Sequence, residues 1–290
     1  MNPALQSINP PAVRRGDSSI GGLLLESGKI TPENAERVLR MQKELGIRFG
    51  EAAQRLGLIT EADIQEVLAR QFDYPYLQPG GSKFSDKLVA AYQPFSQQVE
   101  RLRAVRSQLM LRWIARGHKS LVVASVTPGD GASLFAANLA VVFSQLGEQT
   151  LLVDANLRTP SQHTIFNLSG RQGLSDLLAG RAEQSAMTKI DSFVDLTVLG
   201  AGTLPPNPQE LLGRPNFATL TRELESKFDV VLYDATAFTL GSDALALASR
   251  VGGVLLVIRK NHTNVADIHE TAEQIALTGA QVVGTVLVEF

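Results

Sequence analysis

"SVTPGDGASLFAANLAVV", residues 125–142, joins an apolar β-run to an apolar helix through two closely spaced glycines. Leu121, Val122, Val123 and Ala124 lead in, Pro128-Gly129-Asp130-Gly131 turn the chain, and apolar spacing from Leu134 onward predicts a helix. Strand, glycine turn and helix in that order match the phosphate-cradling pattern G-x-x-x-x-G-K-[ST]. In such a loop backbone N–H groups hold the phosphates, the lysine reaches the β- and γ-phosphates, and the hydroxyl meets Mg²⁺. Here Ser133 takes the hydroxyl position, but Ala132 stands where the lysine belongs and Val126 where the first glycine belongs. Either the loop is an ordinary turn or it is a nucleotide site that has lost a part. Its surroundings decide.

Six β-runs cover the second half of the chain: 120–126, 149–155, 195–202, 229–235, 252–260 and 281–288. Most are near-continuous apolar runs, as strands buried on both faces are, and helical segments separate them. That alternation predicts an α/β fold, a parallel sheet with helices on both sides. Such sheets bind ligands beyond the carboxyl ends of their strands. The run after the loop ends in "LLVDANLRTP", with Asp154 at its tip, then Asn156 and Arg158; another ends in "VVLYDATA", with Asp234 at its tip. Carboxylates at strand tips beside a phosphate loop are how Mg²⁺ is held. The candidates are therefore Asp154 and Asp234 for catalysis, Ser133, Asp154 and Asp234 for metal, and Gly129, Asp130, Gly131, Ser133 and Arg158 for nucleotide.

The totals narrow the class. With 290 residues the chain has length for two modest domains, and 27 basic against 29 acidic residues give no electrostatic case for nucleic acid. The absence of cysteine excludes disulfides and thiolate chemistry and suits a cytoplasmic protein. No apolar run has the length of a membrane span, so any membrane role is expected to run through a partner.

The first quarter contains an internal repeat. "SIGGLLLESGKITPENAERVLRMQ" (19–42) and "RFGEAAQRLGLITEADIQEVLARQ" (48–71) align without gaps, sharing Gly21/Gly50, Gly28/Gly57, Val38/Val67 and Gln42/Gln71. Each copy predicts a short helix, a glycine stop and a second helix, with Thr31-Pro32 and Thr60…Asp63 as N-cap signals. The expected organisation is a disordered lead over 1–17, a helical tandem-repeat domain over 18–73, a Pro/Gly/Ser-rich linker over 74–96 and a P-loop domain over 97–290.

From about residue 97 the chain resembles the bacterial tyrosine kinases (BY-kinases) of capsule and exopolysaccharide synthesis, relatives of the MinD/ParA-type P-loop ATPases. The glycine loop, "LLVDANLRTP", "FDVVLYDATA" and "GTLPPNPQELL" (202–212) carry the resemblance. Glu100, Arg103 and Arg106 form E-x-x-R-x-x-R, which is similar to the family's ring-forming motif. The whole chain looks most like chain-length determinant tyrosine kinases of the EpsG type. The resemblance implies ATP and Mg²⁺ as cofactors, tyrosine phosphorylation as the activity, homo-oligomers, and a membrane polysaccharide chain-length regulator as partner at the inner face of the membrane. Two departures bear on activity: Ala132 and Asn156 replace the motif's lysine and second aspartate, so weak nucleotide binding and impaired catalysis are expected. The four tyrosines all lie at or before Tyr233, so the family's phosphorylated tail cluster is missing from this sequence. The repeat is similar to the MshEN-type domain of secretion and pilus ATPases, which implies cyclic di-GMP binding through Arg48, Gly50, Gly57 and Gln71, although Ser19 replaces the first copy's arginine. Alternative functions are a nonenzymatic cyclic di-GMP-responsive scaffold or a MinD/ParA-type positioning ATPase.

Overall fold

The first repeat folds as α1 (Ile20–Glu26) and α2 (Pro32–Leu45), the second as α3 (Phe49–Arg55) and α4 (Glu61–Gln71). The caps act as their spacing predicts. Thr31 Oγ1 accepts from Asn34 N at 3.3 Å ahead of Pro32, and Thr60 and Asp63 bond reciprocally, Thr60 N to Asp63 Oδ2 at 2.8 Å and Asp63 N to Thr60 Oγ1 at 3.3 Å. Leu24, Ile30, Val38, Ala52, Ala53, Ile59 and Val67 form the core of this unit. The repeated glycines have a packing reason. A Cβ on Gly21 would lie 3.2 Å from the Phe49 ring, and one on Gly50 would lie 3.1 Å from Ile64 Cδ1.

This computed structural model describes residues 19–71, 77 and 83–289, and the chain divides into two compact units, Met1–Tyr74 and Pro75–Phe290. The expected disordered lead over 1–17 lies outside the described residues, as does most of 74–82.

The second unit runs, in chain order, α5 (Val89–Tyr92), α6 (Gln97–Arg112), β1 (Ser120–Ser125), α7 (Ala132–Ser144), β2 (Thr150–Asp154), α8 (Gln162–Ile165), α9 (Leu174–Leu178), β3 (Thr188–Lys189) and β4 (Leu196–Leu199). It continues with α10 (Pro208–Leu212), α11 (Pro215–Lys227), β5 (Val230–Asp234), α12 (Asp243–Val251), β6 (Gly253–Arg259), α13 (Val265–Leu277) and β7 (Gln281–Val288). The sheet order is β3-β4-β2-β5-β1-β6-β7. Every pairing is parallel except β3 with β4. Alternation splits each strand between two cores: Leu121 and Val123 face one, with α6 and α7, while Val122 and Ala124 face the other, with α9, α11 and α12. The parallel α/β fold expected from the β-runs is thus present, with the two-residue antiparallel β3 added at one edge.

Part of the segment expected to be linker is packed chain. Leu88, Ala90 and Ala91 are fully buried, and Asn138 Oδ1 of α7 accepts from Ala90 N at 2.9 Å. The second half of the 74–96 stretch therefore belongs to the P-loop unit's core rather than to a connection.

Candidate nucleotide and metal site

The glycine loop leaves β1 and enters α7 with Gly129 at φ +88° and Gly131 at φ +83°. Both angles lie in the left-handed region, which glycine occupies without strain. Gly131 caps α7 with no side-chain hydrogen bond to its first amides. The first N–H groups of a 13-residue helix are thus left to an anion, as phosphate binding requires.

Asp130 does not join them. Its carboxylate is 0 % exposed and turned inward, accepting from Thr127 N at 3.2 Å and Thr263 Oγ1 at 2.8 Å and pairing with His262 Nδ1 at 2.8 Å. It fastens the loop to the turn after β6, so only its backbone faces a ligand. Ala132 is 6 % exposed, with a methyl group where a lysine would extend.

Asp154 and Asp234 are register partners at the ends of β2 and β5, and both are fully buried. Asp154 Oδ2 accepts from Ser161 N at 3.0 Å and Gln162 N at 2.9 Å, and Asp234 Oδ2 accepts from Gln162 Nε2 at 2.7 Å. The other oxygen of each carboxylate is buried without a hydrogen-bond partner. Burial pushes the Asp154 carboxyl up to about 6, with the N–H groups of Gln162, Ser161 and Asn156 pulling the other way. Burial, then the neighbouring Asp154, drives Asp234 well above the carboxylate range. Two buried carboxylates, each with an oxygen left unsatisfied, beside a helix start that carries Ser133 form a donor set suited to a hard divalent cation. The residues present therefore fit Mg²⁺ and a phosphate chain.

Two other candidates are committed elsewhere. Arg158 grips the buried Asp243 at the start of α12 bidentately, Nη2 to Oδ1 at 3.0 Å and Nε to Oδ2, so its guanidinium closes an internal contact rather than the phosphate loop. Asn156 folds into a local turn, accepting from Thr159 N at 3.0 Å and donating to Thr159 Oγ1 at 3.2 Å. Gln162, Asp243 and His262 are the residues that the motifs did not single out; of these only Gln162 lies within a few positions of one.

On α6, Arg103 pairs with Glu100 of its own helix and Arg106 Nη1 donates to the Val142 carbonyl of α7 at 2.6 Å. In the helical unit Arg48 stands at the N-cap of α3, Gly50 is buried and Gly57 has φ +67°. The side chain of Gln71 lies outside the described residues.

The fold and the loop define a P-loop protein of the MinD-like parallel-sheet class. The septum site-determining protein MinD of Pyrococcus horikoshii, complexed with Mg-ADP, superposes with a TM-score of 0.51 at 21 % identity over 59 % of this chain and 70 % of that one, which shows the fold alone. Nearer matches give the family. The putative tyrosine-protein kinase CapB of Staphylococcus aureus is 34 % identical over 194 residues, 67 % of this chain and 85 % of CapB. The tyrosine-protein kinase YwqD of Bacillus subtilis is 32 % identical over 71 % of this chain and 87 % of its own length. The crystal structure of the chimerical protein CapA2B2 superposes with a TM-score of 0.65 at 35 % identity, over 77 % of this chain and 97 % of that one. The chain belongs to the bacterial tyrosine-kinase family. No protein-family model matches it.

Proposed function

We propose that the chain is a kinase-like P-loop subunit of an exopolysaccharide export system, cytoplasmic and held at the inner face of the membrane by a separate chain-length regulator. In this reading it binds ATP with Mg²⁺ weakly and is catalytically impaired. The observation that carries it is Ala132: nearly buried, it leaves the glycine loop without its lysine, while the nearby Arg158 is occupied by Asp243. Bound Mg²⁺ would neutralise the terminal phosphates. The chain's own part is to orient them with the α7 amides and to hold the ion with Ser133, Asp154 and Asp234. Among the described residues no helix is long and apolar enough to cross a membrane, which agrees with anchoring through a partner. Calorimetric titration with ATP-Mg²⁺ tests the reading. Weak binding is expected, tightening about tenfold or more in Ala132→Lys, because a charged contact contributes roughly 1.5–3 kcal/mol. Equal affinities would remove the loop as a phosphate site.

Assembly into homo-oligomers through Glu100, Arg103 and Arg106 is part of the same reading, and sedimentation over a range of concentrations tests it. A cyclic di-GMP response is a second reading, supported by Arg48 at the head of α3. A flat titration with cyclic di-GMP would leave the helical unit as a docking module.

A further inference from the structure

One buried side chain in the site belongs to neither carboxylate motif. Gln162 is 0 % exposed, at the start of α8, and touches three elements at once. Its backbone N–H donates to Asp154 Oδ2 at 2.9 Å, and its Nε2 donates to Asp234 Oδ2 at 2.7 Å and to the Ser133 carbonyl at 2.9 Å. Against the burial that raises the Asp234 carboxyl, the Gln162 amide and the Ser133 side chain pull it down. The amide nitrogen therefore sits against the carboxylate and the residue that would frame a divalent ion. Around it Gln162 Oε1, Asp154 Oδ1 and Asp234 Oδ1 are buried without hydrogen-bond partners.

The chemistry of that contact is unequal to its setting. An amide NH₂ offers a hydrogen bond and a partial positive charge, enough to satisfy one carboxylate oxygen but not to neutralise a buried acid pair. One amide nitrogen reaches both Asp234 Oδ2 and the Ser133 carbonyl, so Oδ2 is the carboxylate oxygen on the Ser133 side, and a cation or its bound water held between Ser133 and Asp234 needs the space which that nitrogen fills.

Resting on the reading that this pair holds Mg²⁺, we propose that Gln162 is a built-in placeholder for the ion. Its amide nitrogen holds Asp234 and Ser133 together in the ion-free protein and has to leave Asp234 before a cation is bound there. Gln162 then sets how much divalent ion the site requires, and it competes with the ion rather than ligating it.

The test uses the full chain with Mn²⁺ as probe, bound ion being counted by electron paramagnetic resonance, alongside thermal unfolding in chelator and in Mn²⁺. Gln162→Leu keeps most of the volume and removes the donor. A lower melting temperature in chelator is expected, recovered by Mn²⁺, together with Mn²⁺ binding about tenfold tighter than in the unmodified chain. Gln162→Glu keeps the shape, exchanges donor for acceptor and is expected to bind tighter still. A merely structural glutamine would lower stability equally with and without the ion and leave Mn²⁺ affinity unchanged; a ligating one would lose affinity. Either result overturns the proposal. Asp234→Asn is the control on the underlying reading. If the unmodified chain, both Gln162 variants and Asp234→Asn bind Mn²⁺ indistinguishably, the cation site itself falls, and the placeholder with it.

Discussion

At the residue scale the site is governed by two acids that burial holds in a state they would not choose in water. In the unfolded chain both titrate near the ordinary carboxylate value of about 4. In the folded chain burial raises Asp154 to about 6 and moves Asp234 in the same direction. Above about pH 4 the folded state therefore keeps protons that the unfolded state has released, and ion-free stability falls as pH rises through the window. A divalent ion needs the carboxylates deprotonated, so its affinity moves the opposite way. Mn²⁺ binding is expected to strengthen by about tenfold or more between about pH 5 and about pH 7. Asp234→Asn, which removes one charge of the pair, is expected to raise the ion-free melting temperature and to abolish that binding. An affinity independent of pH would show that the pair is not where the ion goes.

At the scale of elements, the stretch 202–212 shows how a sequence motif becomes packing. Gly202 has φ +79°, and a Cβ there would lie 2.4 Å from Asp176 Oδ2. Burial pushes Asp176 up, but hydrogen bonds from Thr203 and Gly173 outweigh it and hold the carboxyl below its usual value. Gly202→Ala forces a left-handed alanine and displaces that carboxylate from Thr203 N, at 3.0 Å. A loss of about 3 kcal/mol is expected, roughly 6–12 °C in a thermal melt of a unit this size. A shift within about 2 °C would mean that the loop relaxes freely. The same scale separates what the sequence reveals from what it hides. Six apolar runs mark six of the strands because burial on both faces writes them continuously. Thr188–Lys189 is too short and too exposed to leave a pattern. The Pro/Gly/Ser composition of 74–96 signals a linker, yet Leu88, Ala90 and Ala91 are buried, and Ala90 is bonded to Asn138 of α7 and to Gln145 just after it, about 50 positions away. The two carboxylates are legible from their strand-tip positions. The Arg158–Asp243 pair is not, because its partners lie 85 positions apart.

For the whole molecule the question is whether a family fold with these residues still transfers phosphate. Transfer to a tyrosine requires charge neutralised at the γ-phosphate and an acceptor for the hydroxyl proton. Ala132 offers no charge, and Asn156 cannot accept a proton and is turned toward Thr159. Among the described residues a tyrosine acceptor is also hard to find. Tyr233 is fully buried, donates to Thr221 Oγ1 at 3.2 Å, and burial pushes its hydroxyl well up. Tyr92 donates to the Phe84 carbonyl at 3.2 Å. Both lost side chains act on one transition state, so restoring either alone should recover little. The purified chain is expected to incorporate almost no label from radiolabelled ATP, and Ala132→Lys combined with Asn156→Asp to label a supplied tyrosine peptide measurably. An arginine donated by a neighbouring subunit, Arg103 or Arg106, is the one route around the missing lysine. That route predicts labelling that rises more steeply than protein concentration and collapses in Arg103→Glu. Strong tyrosine labelling of the unmodified chain, proportional to its concentration, would show that neither Ala132 nor Asn156 limits the chemistry.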